Sequence, residues 1–179
     1  MEKKPHQSIA LRDLIKDSNK KIQRIAEIGV WKSATTRKIL KSCNRIISQY
    51  WAIDSWSIEF RDHYYIKKFT DEQWEELYFY ACKLMTWFPK LHVVRLDSSD
   101  AAKIFPEGYF DLVFIDAEHD YENMIKYIET WLPLVSKGGF LTGHDYKQPR
   151  FPGVEKAVTE IFGKVEERNG FVWIKQVKN

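Results

Sequence analysis

Phe110-Asp111-Leu112-Val113-Phe114-Ile115-Asp116-Ala117-Glu118-His119 and Gly138-Gly139-Phe140-Leu141-Thr142-Gly143-His144-Asp145 are the two stretches that decide the reading of this chain. Each is a short apolar run with acidic and imidazole groups at its carboxyl end. Short apolar runs bounded by turn signals read as strands buried on both faces, the signature of a parallel sheet. In open α/β sheets ligands bind just beyond the carboxyl ends of the strands. Asp116, His119, His144 and Asp145 therefore fall where chemistry is expected.

Outward from these stretches the apolar rhythm alternates between strand and helix periods. Ile22 to Val30 reads as a first strand and Ala34 to Ser42 as the helix after it. Arg45 to Ile53 reads as a second strand, closed by Asp54. Ser55 to Phe69 carries no clear periodicity. Thr70-Asp71-Glu72-Gln73 resembles a capping box, and Trp74 to Phe88 continues at helical spacing until Pro89. Leu91 to Leu96 is the third strand, followed by a short helix after Ser99. Phe110 to Ile115 is the fourth strand, Tyr121 to Leu132 a helix ending near Pro133, and Gly139 to Thr142 the fifth strand. Val154 to Phe162 forms a helical stripe. Lys164 to Arg168 and Phe171 to Val177, around Asn169-Gly170, read as a hairpin. Pro5 to Asn19 reads as one amino-terminal helix. The expected fold is α/β: a Rossmann-like, doubly wound, mostly parallel seven-stranded sheet with one antiparallel strand and helices on both faces.

Composition fits that architecture. With 179 residues, 44% hydrophobic and 30% charged, the chain reads as a single soluble domain spanning 1–179, with residues 1–20 as its amino-terminal helix. A net charge of +3 without a dense Lys/Arg block argues against nucleic acid as a partner. No signal-like or membrane-spanning run is present, and Cys43 and Cys82 lack metal-ligand spacing, so a cytoplasmic location is expected.

Glu27-Ile28-Gly29-Val30-Trp31-Lys32-Ser33 joins the first strand to the next helix. A glycine there lets the backbone approach a ligand closely, and the helix amino end favours an anion. The dinucleotide pattern with three glycines is absent. Glu27 is a carboxylate inside an apolar strand, costly without a partner, whether that partner is a lysine, a backbone donor or a ligand. Asp54 stands where acidic residues bind ribose hydroxyls in Rossmann-like sites. Glu27, Asp54, Asp97 and Asp116 thus place a carboxylate at or near the end of each of the first four strands.

With these residues on view, the chain resembles the class I S-adenosylmethionine-dependent methyltransferases, and within them the small-molecule and sugar O-methyltransferases of the macrocin type. The resemblance runs from about Ile22 to Phe162. It rests on Glu27-Ile28-Gly29-Val30, on Ala52-Ile53-Asp54-Ser55-Trp56, on Asp116-Ala117-Glu118-His119-Asp120-Tyr121, on Gly143-His144-Asp145-Tyr146 and on Gly153-Val154. It implies that the Gly29 turn cradles the methionine part of S-adenosylmethionine, with Glu27 near its ammonium. It implies also that Asp54 holds the ribose and that Asp97 and Ser98 lie beside the adenine. In metal-using relatives the positions of Asp116, His144 and Asp145 hold a divalent ion, magnesium or manganese, and His119 matches a general base. The implied acceptor is a small molecule, with a carbohydrate as one candidate.

The chain departs from the family in two places. Ser33 stands where a second glycine is frequent; its side chain either crowds the cofactor carboxylate or donates to it. Only the amino-terminal helix can serve as a cap, so the acceptor pocket is either open or completed by a second copy in a homo-oligomer. Trp31 and Trp56 are candidates to line the cofactor pocket; Trp56, Arg61, His63, Tyr64 and Tyr65, with Tyr146, Lys147 and Arg150, are candidates to face the acceptor. Trp74 and Trp131 read as core, and His6, His63 and His92 as surface or packing residues. Two rival readings are a non-catalytic interaction subunit on the same fold and a nicotinamide-dependent oxidoreductase, which the missing glycine pattern disfavours.

Overall fold

The computed structural model describes residues 6–57 and 69–178. Its sheet is built by side chains that alternate between two cores. β4 (Phe110–Ile115) is buried at every position; Leu112 and Phe114 enter one core, Val113 and Ile115 the other. β1 (Arg24–Ile28) divides in the same way, Ile25 to the first core and Ala26 and Ile28 to the second. Strands apolar on both faces need helices on both. The first core is closed by α1 (Ser8–Asp17), α2 (Ala34–Cys43) and α3 (Asp71–Leu84), through Leu14, Ile39 and Trp74 among others. The second is closed by α4 (Ser98–Ala102), α5 (Tyr121–Trp131) and α6 (Pro152–Phe162), through Ala101, Trp131 and Val158. A buried aliphatic side chain contributes about 2 kcal/mol, so these two faces hold the layers together.

The remaining strands are β2 (Gln49–Asp54), β3 (Leu91–Arg95), β5 (Val135–Gly143), β6 (Glu166–Arg168) and β7 (Val172–Gln176). The seven strands lie in the order β3-β2-β1-β4-β5-β7-β6. β1 to β5 pair in parallel, and β7 runs antiparallel to both of its neighbours. The doubly wound sheet with one antiparallel strand is therefore present. From β1 the chain winds outward through β2 and β3, then returns to β4 on the other side. That reversal opens a crevice above the carboxyl ends of β1 and β4, where such sheets bind ligands.

Several element ends differ from the sequence reading, each for a local reason. β1 stops at Ile28 because Gly29 turns to φ 85°, with its N–H on Ile53 O. α3 ends at Leu84 rather than Phe88; tighter bonds such as Met85 N–H to Cys82 O close it. Its start is the expected capping box of Thr70 and Gln73. β5 begins four residues earlier than Gly139 and carries a register shift against β4 between Phe110 and Leu112. Gly139 sits inside it because a Cβ there would lie 2.8 Å from Ser136 O. Arg61, His63, Tyr64 and Tyr65 lie outside the described residues. Among the described residues no helix is long and apolar enough to cross a membrane.

Candidate active site

β1 and β4 end in direct backbone contact. The Asp116 N–H donates to Ile28 O at 2.7 Å. A Cβ on Gly29 would stand 2.2 Å from Asp116 O, so the glycine is required by the neighbouring strand as well as by any ligand. At the end of β5, Gly143 lies under the Trp173 ring, which a Cβ would meet at 2.5 Å. The His144 N–H then bonds Ile115 O at 3.0 Å, and Asp145 adopts φ 58°. Aspartate tolerates this left-handed conformation, which here turns its carboxylate back into the crevice.

The result is a chain of two carboxylates and two imidazoles. His119 Nε2 lies 2.8 Å from Asp145 Oδ2. His144 Nδ1 lies 3.0 Å from the same oxygen and 3.2 Å from Asp116 Oδ1. Burial disfavours the charged form of His144, but Asp116 and Asp145 outweigh it and raise the imidazole to about 10. Burial works against the Asp145 carboxylate too, and bonds from His119 and His144 hold it well below the usual range. His119 is fixed from its other face by Phe151, stacked at 4.2 Å and 19°. Phe151 is delivered by the start of α6, where Gly153 allows contact with the backbone of Tyr121; a Cβ there would meet its N at 2.6 Å. One ligand atom each from Asp116, His144 and Asp145 falls within a span of 4.8 Å, a set of two carboxylates and one imidazole that fits a divalent ion.

The β1 and β2 side is organised differently. Glu27 is 1% exposed. Its Oε2 accepts from Thr36 Oγ1 and from Tyr50 Oη, the latter at 2.8 Å. Its partners are thus two hydroxyls, neither the lysine nor the backbone donor that the sequence reading weighed. With no cation beside it among the described residues, burial pushes Glu27 up to about 8 despite those bonds. Asp54 accepts the N–H groups of Val30 and Trp31, each at 2.8 Å, and that of Trp56 at 2.7 Å. It thereby pins the turn after β1 to the end of β2. In that turn Ser33 adopts φ 55° and its Oγ is buried without a hydrogen-bond partner among the described residues. Asp97 caps α4 through Ser99 N–H at 2.8 Å. Asp97 and Ser98 line a small pocket with Gly29 and Ser55, and Ser98 Oγ is also buried and unpartnered. The orphaned Ser98 hydroxyl in this pocket suits a polar ligand there.

A cavity of about 1130 Å³ joins the two sides, walled by Glu27, Gly29, Asp116, His119, His144 and Asp145 among others. Asp54 and Ser33 stand behind its wall. Trp31 and Arg150 do line it, whereas Trp56 is fully buried against Tyr78 and donates to Trp31 O at 3.2 Å. Tyr146 belongs to the second core and Lys147 pairs with Glu167, so neither faces the cavity. His6, read as a surface or packing residue, lines the cavity together with Gln7. His92 stacks on Trp51 as packing. Trp74 and Trp131 are core, as expected. The sequence reading missed Gln7, Thr36, Tyr50 and Phe151.

The strand order, the switch-point crevice and the acidic strand ends define a class I methyltransferase fold. The family described as Methyltransferase domain matches residues 26–146, more than half of the chain, and the chain belongs to it. A search of curated protein sequences finds no match. Solved structures are similar throughout. The O-methyltransferase NovP aligns with 18% identity and a TM-score of 0.64, over 97% of this chain and 80% of that one. CalS11, a TDP-rhamnose 3'-O-methyltransferase of calicheamicin biosynthesis, aligns with 14% identity and a TM-score of 0.63, over 95% and 76%. The tRNA (m1A58) methyltransferase TrmI from Aquifex aeolicus aligns with 17% identity and a TM-score of 0.61, over 97% and 69%. At such identities the likeness concerns the fold; acceptors as different as a sugar nucleotide and a tRNA sit on it.

Proposed function

We propose that this chain transfers the methyl group of S-adenosylmethionine to a hydroxyl oxygen of a small molecule, with sugar hydroxyls as the first acceptor class to test. The pairing of His119 with Asp145 at the cavity wall carries this reading. Methyl transfer from a sulfonium is an in-line displacement, so the protein's work is alignment and removal of one proton. With its Nε2–H donated to Asp145, His119 has Nδ1 as the atom that takes the acceptor hydroxyl's proton. Asp145 then stabilises the imidazolium that forms, and Phe151 keeps the ring in plane.

For the cofactor, Glu27 and the Gly29 turn are assigned to the methionine end, Asp116 to the same end, and Asp97 and Ser98 to the adenine. Asp54 acts through the turn it holds, beside its proposed contact with the ribose. Ser33 Oγ lies buried behind the cavity wall, so its proposed donation to the cofactor carboxylate requires the turn that carries it to shift toward the ligand. A divalent ion, magnesium or manganese, is assigned to Asp116, His144 and Asp145; when bound it lowers the cost of deprotonating an acceptor hydroxyl. Binding there requires His144 to give up its proton, so metal affinity rises with pH. The lack of a dense Lys/Arg block in the sequence and the sugar named for CalS11 support a small-molecule acceptor. The free thiols of Cys43 and Cys82 support a reducing compartment, the cytoplasm.

The test is thermal unfolding with S-adenosylhomocysteine, with NAD as control, followed by a panel of hydroxylated acceptors with labelled S-adenosylmethionine, with and without EDTA. Ligand at a hundred times its Kd adds about 2.7 kcal/mol, or roughly 5–10 °C for a domain of this size. A shift with S-adenosylhomocysteine alone is expected. No shift in a cooperatively folding sample transfers the assignment to a non-catalytic interaction subunit.

A further inference from the structure

We propose that Gln7 is a cofactor-binding residue that meets the amino-acid end of S-adenosylmethionine, making the start of α1 a wall of the cofactor site. The proposal rests on the reading of the cavity as a site for that cofactor. Gln7 Nε2 donates to Asp116 Oδ2 at 3.1 Å and to Thr35 Oγ1 at 3.2 Å. One carboxamide thus joins three elements: the start of α1, the first turn of α2 and the end of β4.

Nothing in the local structure of α1 asks for this reach. Gln7 occupies the residue position before the helix, yet its side chain makes no capping bond. His6 Nδ1 accepts the Ser8 N–H instead, at 3.2 Å. Nor does α1 need Gln7 in order to dock. Ala10, Leu11, Leu14 and Ile15 are each no more than 4% exposed and pack the helix into the first core. The side chain is therefore held over the cavity by an independently anchored helix, a precise platform for a ligand contact.

The chemistry of the bridge matches an amino-acid group. The Gln7 Oε1 has no hydrogen-bond partner among the described residues, and Gln7 lines the cavity beside Glu27 and Gly29. A carboxamide offers two donors and one two-fold acceptor. Oε1 accepts from the cofactor ammonium, while Nε2 donates to its carboxylate or stays on Asp116. A methyl donor without the amino-acid end makes neither contact.

The experiment is calorimetric titration of the full chain and its Gln7→Ala variant with two probes. S-adenosylhomocysteine carries the amino-acid end; 5′-methylthioadenosine keeps the adenosine and the sulfur and lacks it. The expected result is about a tenfold weaker Kd for S-adenosylhomocysteine, from the loss of one or two hydrogen bonds, with 5′-methylthioadenosine changed by less than about twofold. Parallel loss of both probes would mean a structural role and overturns the proposal, as does no change in either. Wild-type protein that binds neither probe removes the methyltransferase reading itself, a distinguishable failure that takes this proposal with it. If Gln7→Ala unfolds, Gln7→Met keeps the length and apolar stem without the polar atoms, and the same ratio is read.

Discussion

Glu27 and Asp145 are both buried carboxyls near the carboxyl ends of strands, on opposite sides of one crevice, and they behave in opposite ways. Glu27 receives hydroxyl bonds from Thr36 and Tyr50 and rises to about 8. Asp145 receives bonds from two imidazoles and falls below the usual carboxylate range. Burial penalises both anions; what differs is the charged His144 beside Asp145, to which Glu27 has no counterpart among the described residues. The β1 side is thereby poised to gain a cation from a ligand, whereas the β4–β5 side already holds one. That division suits a cleft in which a cationic donor binds at one end and a proton is handled at the other.

The harshest way to break the comparison is to remove the cation from the β4–β5 side. His144→Ala leaves Asp116 and Asp145 facing each other with His119 alone to serve them, and is expected to cost about 3 kcal/mol in urea unfolding at pH 6. The pH dependence has a definite sign. His144 has a raised folded pKa, so its contribution is complete below its unfolded value near 6.5 and disappears as pH rises through about 10. The gap between wild type and variant should therefore close across that window. A gap of constant size would show that His144 serves packing alone.

The β1 side is sharpened by Glu27→Gln, which keeps shape and hydrogen bonding while removing the titration. In wild type the folded state holds its proton up to about 8, while the unfolded chain releases it near 4.5, so stability falls between those values. The variant should match wild type near pH 4.5 and become the more stable of the two by pH 8.5. Paired denaturation curves at the two pH values check this; identical pH profiles would place a cation beside Glu27 already. The smallest effect is expected from Ser33→Gly. Relief of a left-handed serine with an orphaned hydroxyl should stabilise the fold by about 1 kcal/mol. Loss of the proposed donor should weaken S-adenosylhomocysteine a few-fold, and tighter binding would favour the crowding alternative.

Much of the fold was legible because its signals are local. Phe110–Ile115 announced a strand buried on both faces and is one; Thr70 and Gln73 announced a capping box and form it. Tyr146 and Trp56 misled, because a polar-tipped aromatic after a strand reads the same whether it lines a pocket or packs beneath it. His6 misled in the opposite direction. A histidine near a terminus looks solvated until the helix after it docks across the crevice.

By itself the sequence determined the alternating strands and helices, and with them the acidic and imidazole groups at the strand ends, since periodicity and turn chemistry act over a few residues. The pairing of those groups was decided only by tertiary structure. Asp145 meets His119 because β5 lies beside β4 and α6 seats Phe151 on the imidazole. Glu27 meets Tyr50 across paired strands. Gln7 meets Asp116 across 109 residues of chain. Contacts at such separations depend on which layers pack together, and no local pattern of residues encodes them.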